Sequence, residues 1–148
     1  MTQDVNSLTR LINVAFVVES FVFEGDRVDT AAVQAYMKSG QFLLAENEGG
    51  LAGCVYVELR GNRGYVGLLS VDPQQQGTGL GRKLMNAAEN YFRAAGCEGV
   101  DLRIISQRTP LPSFYRHLGY SEAGTAPFAA GARPKVPGHY ILMSKSLV

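Results

Sequence analysis

Cysteine is scarce in this chain of 148 residues, with only Cys54 and Cys97 present. Two cysteines make no disulfide framework, and neither a CxxC pair nor a Cys/His cluster offers a metal site. That usage suits a reducing cytoplasm. Excess charge is also missing, because the net charge is +1. No global field steers the protein toward DNA, RNA or an acidic membrane, so any anion must be caught by a local device. Long apolar runs are absent too. The segment Leu11 to Val18 is too short to span a bilayer. With Asp4 before it and Glu19 after it, the segment lacks the basic start and small-residue cleavage site of a secretory signal. It reads instead as an amphipathic helix packed on the domain. The chain has no internal repeats and no low-complexity stretch. Its length suits one domain over residues 1–148, able to bury roughly 70% of its unfolded surface.

The chain does contain clear periodic segments. Leu8, Leu11, Ile12, Ala15 and Phe16 recur at helical spacing. A second helix starts from an Asp29 cap, turns Ala32, Val33 and Tyr36 inward and ends at Gly40. The pattern then alternates over Phe42–Glu46, Leu51–Leu59 and Tyr65–Val71. Glycine-bearing connectors at 47–50 and 60–64 supply the positive φ angles of hairpins, which predicts an antiparallel meander. A long helix follows over Gly79–Ala95, with a predicted inward stripe of Leu80, Leu84, Ala87, Ala88, Tyr91 and Ala95. Val100–Ile105 reads as a strand, reached by a parallel crossover. Thr109 and Pro110 open a short helix that stops at Gly119. Strands near Tyr120–Ala123 and His139–Ser144 close a mixed α/β domain, with a three-proline loop at Gly124–Gly138 between them.

The segment Leu68–Met85 carries the chemistry. Pro73 ends a strand by removing a ladder donor. Gly77, Gly79 and Gly81 then lead into the long helix. Alternate glycines let consecutive N–H groups converge, with no side chain barring the approach of an oxygen-rich group. The same N–H groups are the unsatisfied donors of a helix start, where the dipole favours negative charge. Arg82 and Lys83 oppose that dipole by up to ~1 kcal/mol each, which is more readily accepted where an anion sits between them. The glycine spacing fits neither GxxxxGK[ST] nor GxGxxG, so both common nucleotide motifs fail.

The pattern [Q/R]-x-x-G-x-[G/A] is met by Gln76, Gly79 and Gly81. Together with Val71-Asp72-Pro73 and the later Phe114–Tyr120 (FYRHLGY), it resembles the GCN5-related N-acetyltransferase (GNAT) superfamily, over roughly Phe42 to Tyr120. The resemblance implies a mixed, mostly antiparallel sheet with flanking helices and a central parallel pair that splays apart. It implies a bulge in Tyr65–Val71, and acetyl-CoA as acetyl donor. The main chain of Leu69 and Val71 would meet the pantetheine. The segment Gln76, Gly77, Thr78, Gly79, Gly81, Arg82 and Lys83 would hold the pyrophosphate. Ser106 stands where many relatives carry asparagine as a further cofactor contact. Tyr115 maps to the general acid, since a phenol is protonated at neutral pH. No acid lies within Tyr65–Val71, so the base is Glu58, Glu46 or water alone.

The family's usual opening strand is shortened or missing here, which exposes a sheet edge and favours a homodimer. The acceptor is read as a small-molecule amine or amino acid. Its site would be lined by the Glu19–Asp29 stretch, with Glu19, Glu24, Asp26 and Asp29, and by the Gly124–Gly138 loop, with Arg133 and Lys135, followed by His139. Two rival readings are a non-catalytic acyl-CoA-binding module and an unrelated α/β domain for another phosphorylated nucleotide.

Overall fold

A computed structural model describes residues 2–16, 27–108, 110–128 and 134–148. Helix α1 spans Thr2–Ala15 and buries Val5, Leu8, Leu11 and Ile12. It therefore begins earlier than Leu8, and Phe16 sits at its end, half-buried. Asn13 exchanges two hydrogen bonds with the backbone of Val28, at 2.8 and 2.9 Å, which pins the approach to the next helix. Helix α2 spans Thr30–Ser39. Its cap is Asp29, whose carboxylate accepts from the Ala32 N–H at 2.7 Å, as the sequence predicts.

Gly40 ends α2, but by a route other than a left-handed cap. Its φ of −161° is extended backbone. Glycine is needed there because a Cβ would lie 2.3 Å from the Val57 carbonyl oxygen.

The meander forms as β1 (Gln41–Asn47), β2 (Gly50–Arg60) and β3 (Arg63–Val71). Gly61 turns the second hairpin at φ 63°. A short 3₁₀ turn at Pro73–Gln75 leads to α3 (Leu80–Ala94). The order continues with β4 (Gly99–Ile105), α4 (Pro110–His117), β5 (Ser121–Ala126) and β6 (Tyr140–Ser146). Thr109, read as the cap of α4, lies outside the described residues. The strands form one six-stranded sheet in the order β1-β2-β3-β4-β6-β5. Only β3 and β4 run parallel. Among the described residues no strand precedes α1, and β1 is a sheet edge.

Each face of the sheet carries its own core. Helices α3 and α4 cover Val55, Val57, Val66, Val100, Leu102, Ile104 and Met143. Helices α1 and α2 cover Cys54, Tyr56 and Leu68 on the opposite face. The alternation of β2 explains the division, since neighbours along a strand point to opposite sides.

On α3 the buried residues are Leu84, Met85, Ala88, Glu89 and Phe92, whereas Ala87 and Ala95 are exposed. Leu84 and Ala88 are thus buried as predicted, and Leu80 and Tyr91 pack against the same core, but the stripe takes in Met85, Glu89 and Phe92 and leaves out Ala87 and Ala95. Phe92 sets the rotation, because its ring fills the space over Gly64, where a Cβ would come within 2.4 Å.

Candidate active site

The parallel pair is joined over three rungs only: Arg63 with Gly99, Gly64 with Val100 and Tyr65 with Asp101. Beyond them the strands part, as the resemblance implies. A bidentate ion pair clasps the closed end, with Arg63 Nε donating to Asp101 Oδ2 at 2.7 Å and a second guanidinium nitrogen to Oδ1 at 2.8 Å.

The implied bulge in β3 is also present. Tyr56 faces Gly67 and Cys54 faces Ser70, so β3 takes an extra residue against β2. Leu68 sits in that bulge at φ 52°, in the left-handed region that disfavours side chains. Its side chain is buried against the α1 face, and its carbonyl accepts from Ser70 Oγ at 2.9 Å. Leu69 turns the other way and packs against the α3 core. The bulge therefore re-aims consecutive side chains and leaves the β3 main chain open toward the gap.

The glycine loop follows directly. The Asp72 carboxylate accepts from the Gln74 N–H at 2.9 Å and starts the turn. The Gln76 N–H reaches back to the Pro73 carbonyl at 3.5 Å, so the run of open amides starts one residue later, at Gly77. Thr78 Oγ1 donates to the Gln75 carbonyl at 2.6 Å and holds the loop closed on itself. Gly77 and Gly79 have φ of 83° and 82°, and nothing lies within 4 Å of a Cβ placed on either. Lys83 is the first residue to bond back into the helix, its N–H meeting the Gly79 carbonyl at 3.1 Å. Among the described residues the amides from Gly77 to Arg82 have no backbone acceptor. The side chains of Arg82 and Lys83 are exposed. The loop is thus a run of free N–H donors at a helix start with two exposed cations beside it, an arrangement able to receive an anionic group.

Tyr115 stands on α4, which follows the splayed end of β4. It is 6% exposed, and its ring meets Phe114 at 5.0 Å and Tyr120 at 5.9 Å, both edge-on. Glu58 is engaged by its own strand neighbours. It accepts from the Tyr56 hydroxyl at 2.6 Å and is paired with Arg60. Burial works to raise the Glu58 carboxyl, but the Tyr56 hydrogen bond and Arg60 outweigh it, and the net pKa falls below the usual value. Glu46 is exposed on β1. Ser106 Oγ donates to Gln107 at 3.1 Å and accepts from the His139 N–H at 3.1 Å, which ties β4 to the start of β6. Of the residues read as lining the acceptor site, Asp29 is committed to capping α2, and Lys135 and His139 are exposed. Glu19, Glu24, Asp26 and Arg133 lie outside the described residues.

Two features escaped the sequence reading. Glu89 is only 3% exposed, yet it accepts from Lys145 Nζ at 2.8 Å and from the Tyr120 hydroxyl at 3.0 Å. Lys145 also donates to the Leu118 carbonyl at 2.7 Å, so one buried carboxylate joins α3, β6 and the α4–β5 corner. An acid spaced with Met85, Ala88 and Phe92 on one helix face was the available signal. The second is Arg103, at an alternating position between buried Leu102 and Ile104.

A splayed parallel pair beside a glycine loop at a helix start is the architecture of a GNAT-like acyltransferase domain. Residues 15–134 match the acetyltransferase (GNAT) domain family, and the chain belongs to that family. Over 97 residues it is 30% identical to a mycothiol acetyltransferase of Clavibacter sepedonicus, covering 65% of this chain and 32% of that protein. The chain spans about a third to less than half the length of the mycothiol acetyltransferases it matches. The crystal structure of nourseothricin acetyltransferase aligns with a TM-score of 0.67 and 26% identity, over 73% of this chain and 65% of that one. The ribosomal-protein-S18-alanine N-acetyltransferase of Escherichia coli aligns with a TM-score of 0.76 over 99% of this chain and 89% of its own. At 16% identity that likeness speaks for the fold alone. No helix among the described residues is long and apolar enough to cross a membrane.

Proposed function

We propose that the protein transfers an acetyl group from acetyl-CoA to a primary amine of a small molecule or amino acid. The observation that carries this reading is the run of unbonded amides from Gly77 to Arg82 at the start of α3. Those amides, with Arg82 and Lys83 beside them, hold the diphosphate. The main chain of Leu69 and Val71, left open by the bulge and the splay, bonds the pantetheine arm, and Ser106 borders it. Acetyl-CoA, when bound, supplies the acetyl thioester. Tyr115 acts as general acid: as the new C–N bond forms and the C–S bond breaks, its hydroxyl gives a proton to the departing sulfur. The amine's proton leaves through water. The hydrogen bonds and ion pair at Glu58 make it a weak base at neutral pH, and Glu46 remains as a distant alternative. The names of the similar mycothiol and nourseothricin acetyltransferases support a small-molecule acceptor. The open edge of β1, with Leu44 exposed, supports a homodimer, which light scattering tests. Two buried free thiols suit a cytoplasmic site.

A second reading is a non-catalytic acyl-CoA-binding module, favoured by the burial of Tyr115 and the engagement of Glu58. Thermal unfolding with acetyl-CoA tests what the two readings share: at ~100 times its Kd the ligand adds about 2.7 kcal/mol. Gly79→Val is expected to abolish that gain, because a β-branched side chain is strained at positive φ and crowds the cradle. A shift with NAD and none with acetyl-CoA refutes both readings. Thiol release across a panel of amines then separates them. Tyr115→Phe is expected to leave acetyl-CoA affinity intact and slow release roughly 10²–10⁴-fold if the hydroxyl is the acid.

A further inference from the structure

On the α1 face of the sheet, charges are matched up to the point where the strands part. The last closed rung crosses Glu58, Tyr65, Asp101 and Ser144 on β2, β3, β4 and β6. Both carboxylates of that rung are taken, Glu58 by Arg60 and Asp101 by Arg63. Arg103 lies two residues further along β4, on the same face, because Leu102 and Ile104 point into the opposite core. It is exposed and, among the described residues, bonds to no carboxylate.

Its surroundings are built rather than bare. The guanidinium lies over the Tyr140 ring, 4.3 Å from the centroid. The ring face attracts the cation and holds it near Tyr140, and a guanidinium carries the forked N–H donors that grip a planar carboxylate by two bonds. Among the described residues its cross-strand neighbours bring no acid. The residue of β3 two beyond the closed rung is Gly67, over which the Tyr65 ring lies, 3.2 Å from where a Cβ would stand, and Leu142, which faces Arg103 on β6, is itself faced by Gly124 on β5. Helix α1 packs on β2 and β3, and neither α1 nor α2 packs broadly on β4, β6 or β5. Gly67 also immediately precedes Leu68, so the bulge and Arg103 each lie just beyond the last closed rung, on β3 and β4 respectively.

We propose that Arg103 anchors a carboxylate of the acceptor, so that the substrate is an amine that also carries an acid group. The proposal rests on the acetyl-transfer reading above. That reading places the thioester along the main chain of Leu69 and Val71, within two to four residues of Gly67. An acceptor approaching from the α1 face then meets the surplus cation of Arg103 as its nitrogen enters the gap. Arg103 thereby selects the acceptor by charge.

The test compares matched pairs of amines: glycine, β-alanine, 4-aminobutyrate and glutamate against their carboxamides, in native protein and in Arg103→Gln, by thiol release from acetyl-CoA. The native protein is expected to turn over at least one acid. The ratio of kcat/KM for acid over amide should fall at least roughly tenfold in Arg103→Gln, about 1.4 kcal/mol. Arg103→Lys should restore part of it. Because a poorly folded variant lowers both members of a pair equally, the ratio is insensitive to lost stability. An unchanged ratio overturns the anchor, as does acetyl-CoA binding with turnover of amides alone or of no acid in the panel. In those cases the acetyl-CoA reading stands. Failure of acetyl-CoA to stabilise the native protein, with no thiol release, overturns both.

Discussion

Replacing Glu89 with glutamine removes one negative charge and almost no volume from the centre of the α3 face. The native carboxylate is 4% exposed in its side chain, and its partner Lys145 is 23% exposed. Removing one member of a buried pair costs about 3–5 kcal/mol, because the other charge stays out of water uncompensated. Lys145 keeps the Leu118 carbonyl and some solvent, which places the loss near the lower end, about 3 kcal/mol. For a domain of this size that is a fall in Tm of roughly 6–12 °C. Lys145→Met should also destabilise, but by less than full loss of a pair, since Glu89 keeps the Tyr120 hydroxyl at 3.0 Å and Arg93 at 3.7 Å. Replacing both, as Glu89→Gln with Lys145→Met, should cost less than the sum of the same two singles, because neither charge of the pair remains to be left uncompensated. Urea unfolding of the native protein, the singles and the double measures all of these. The reasoning fails if Glu89→Gln behaves like a surface change, within about 0.5 kcal/mol of native, or if the two single effects simply add.

Three other outcomes follow from burial and local geometry. Burial pushes the Cys54 thiol up to about 12, although a Ser70 hydrogen bond works the other way. Cys54 should therefore resist iodoacetamide at pH 8.5 until denaturant is added, and rapid labelling of the native protein would contradict this. Burial, and then Glu89, raise the Tyr120 hydroxyl. The folded state thus holds that proton more tightly than the unfolded chain, where tyrosine titrates near ~10. The associated stability is present in full below that pH and is lost as pH rises above it, so Tyr120→Phe should flatten the alkaline fall in urea midpoint. Equal slopes in the two proteins would refute it. Gly64→Ala would put a Cβ 2.4 Å from the Phe92 ring, and the overpacking should cost about 1–3 kcal/mol in the same unfolding assay.

The order of helices and strands was legible because glycine and proline mark its joints and because β2, β3 and α3 are strongly periodic. The glycine loop was legible for a harder reason: its spacing rejects the two common nucleotide motifs and leaves a third. Other features had no mark of their own. The bulge and the splay came from resemblance to a family, since Leu68 adopts a positive φ that no composition signals and packing holds it there. The α3 stripe was legible at Leu80, Leu84, Ala88 and Tyr91 but missed Met85, Glu89 and Phe92, because the small alanines at 87 and 95 fit an inward or an outward face and only the fit of Phe92 over Gly64 decides. Arg103 looked like an ordinary alternating strand residue. Its lack of a carboxylate partner among the described residues depends on which strands lie beside it, which is a property of the topology.

The parting of β3 from β4 gives the domain an interior border. After Tyr65 and Asp101 the middle of the sheet carries peptide groups that no neighbouring strand engages, a condition otherwise confined to outermost strands. The two halves are held at that seam by three rungs and the Arg63–Asp101 clasp. On the acetyl-transfer reading proposed above, a guest that bears its own amides would fill the seam as a missing strand would. Without such a guest, amide hydrogens on the open side of residues 66–71 should exchange with solvent faster than those of flanking β2, although they lie nearer the molecular centre.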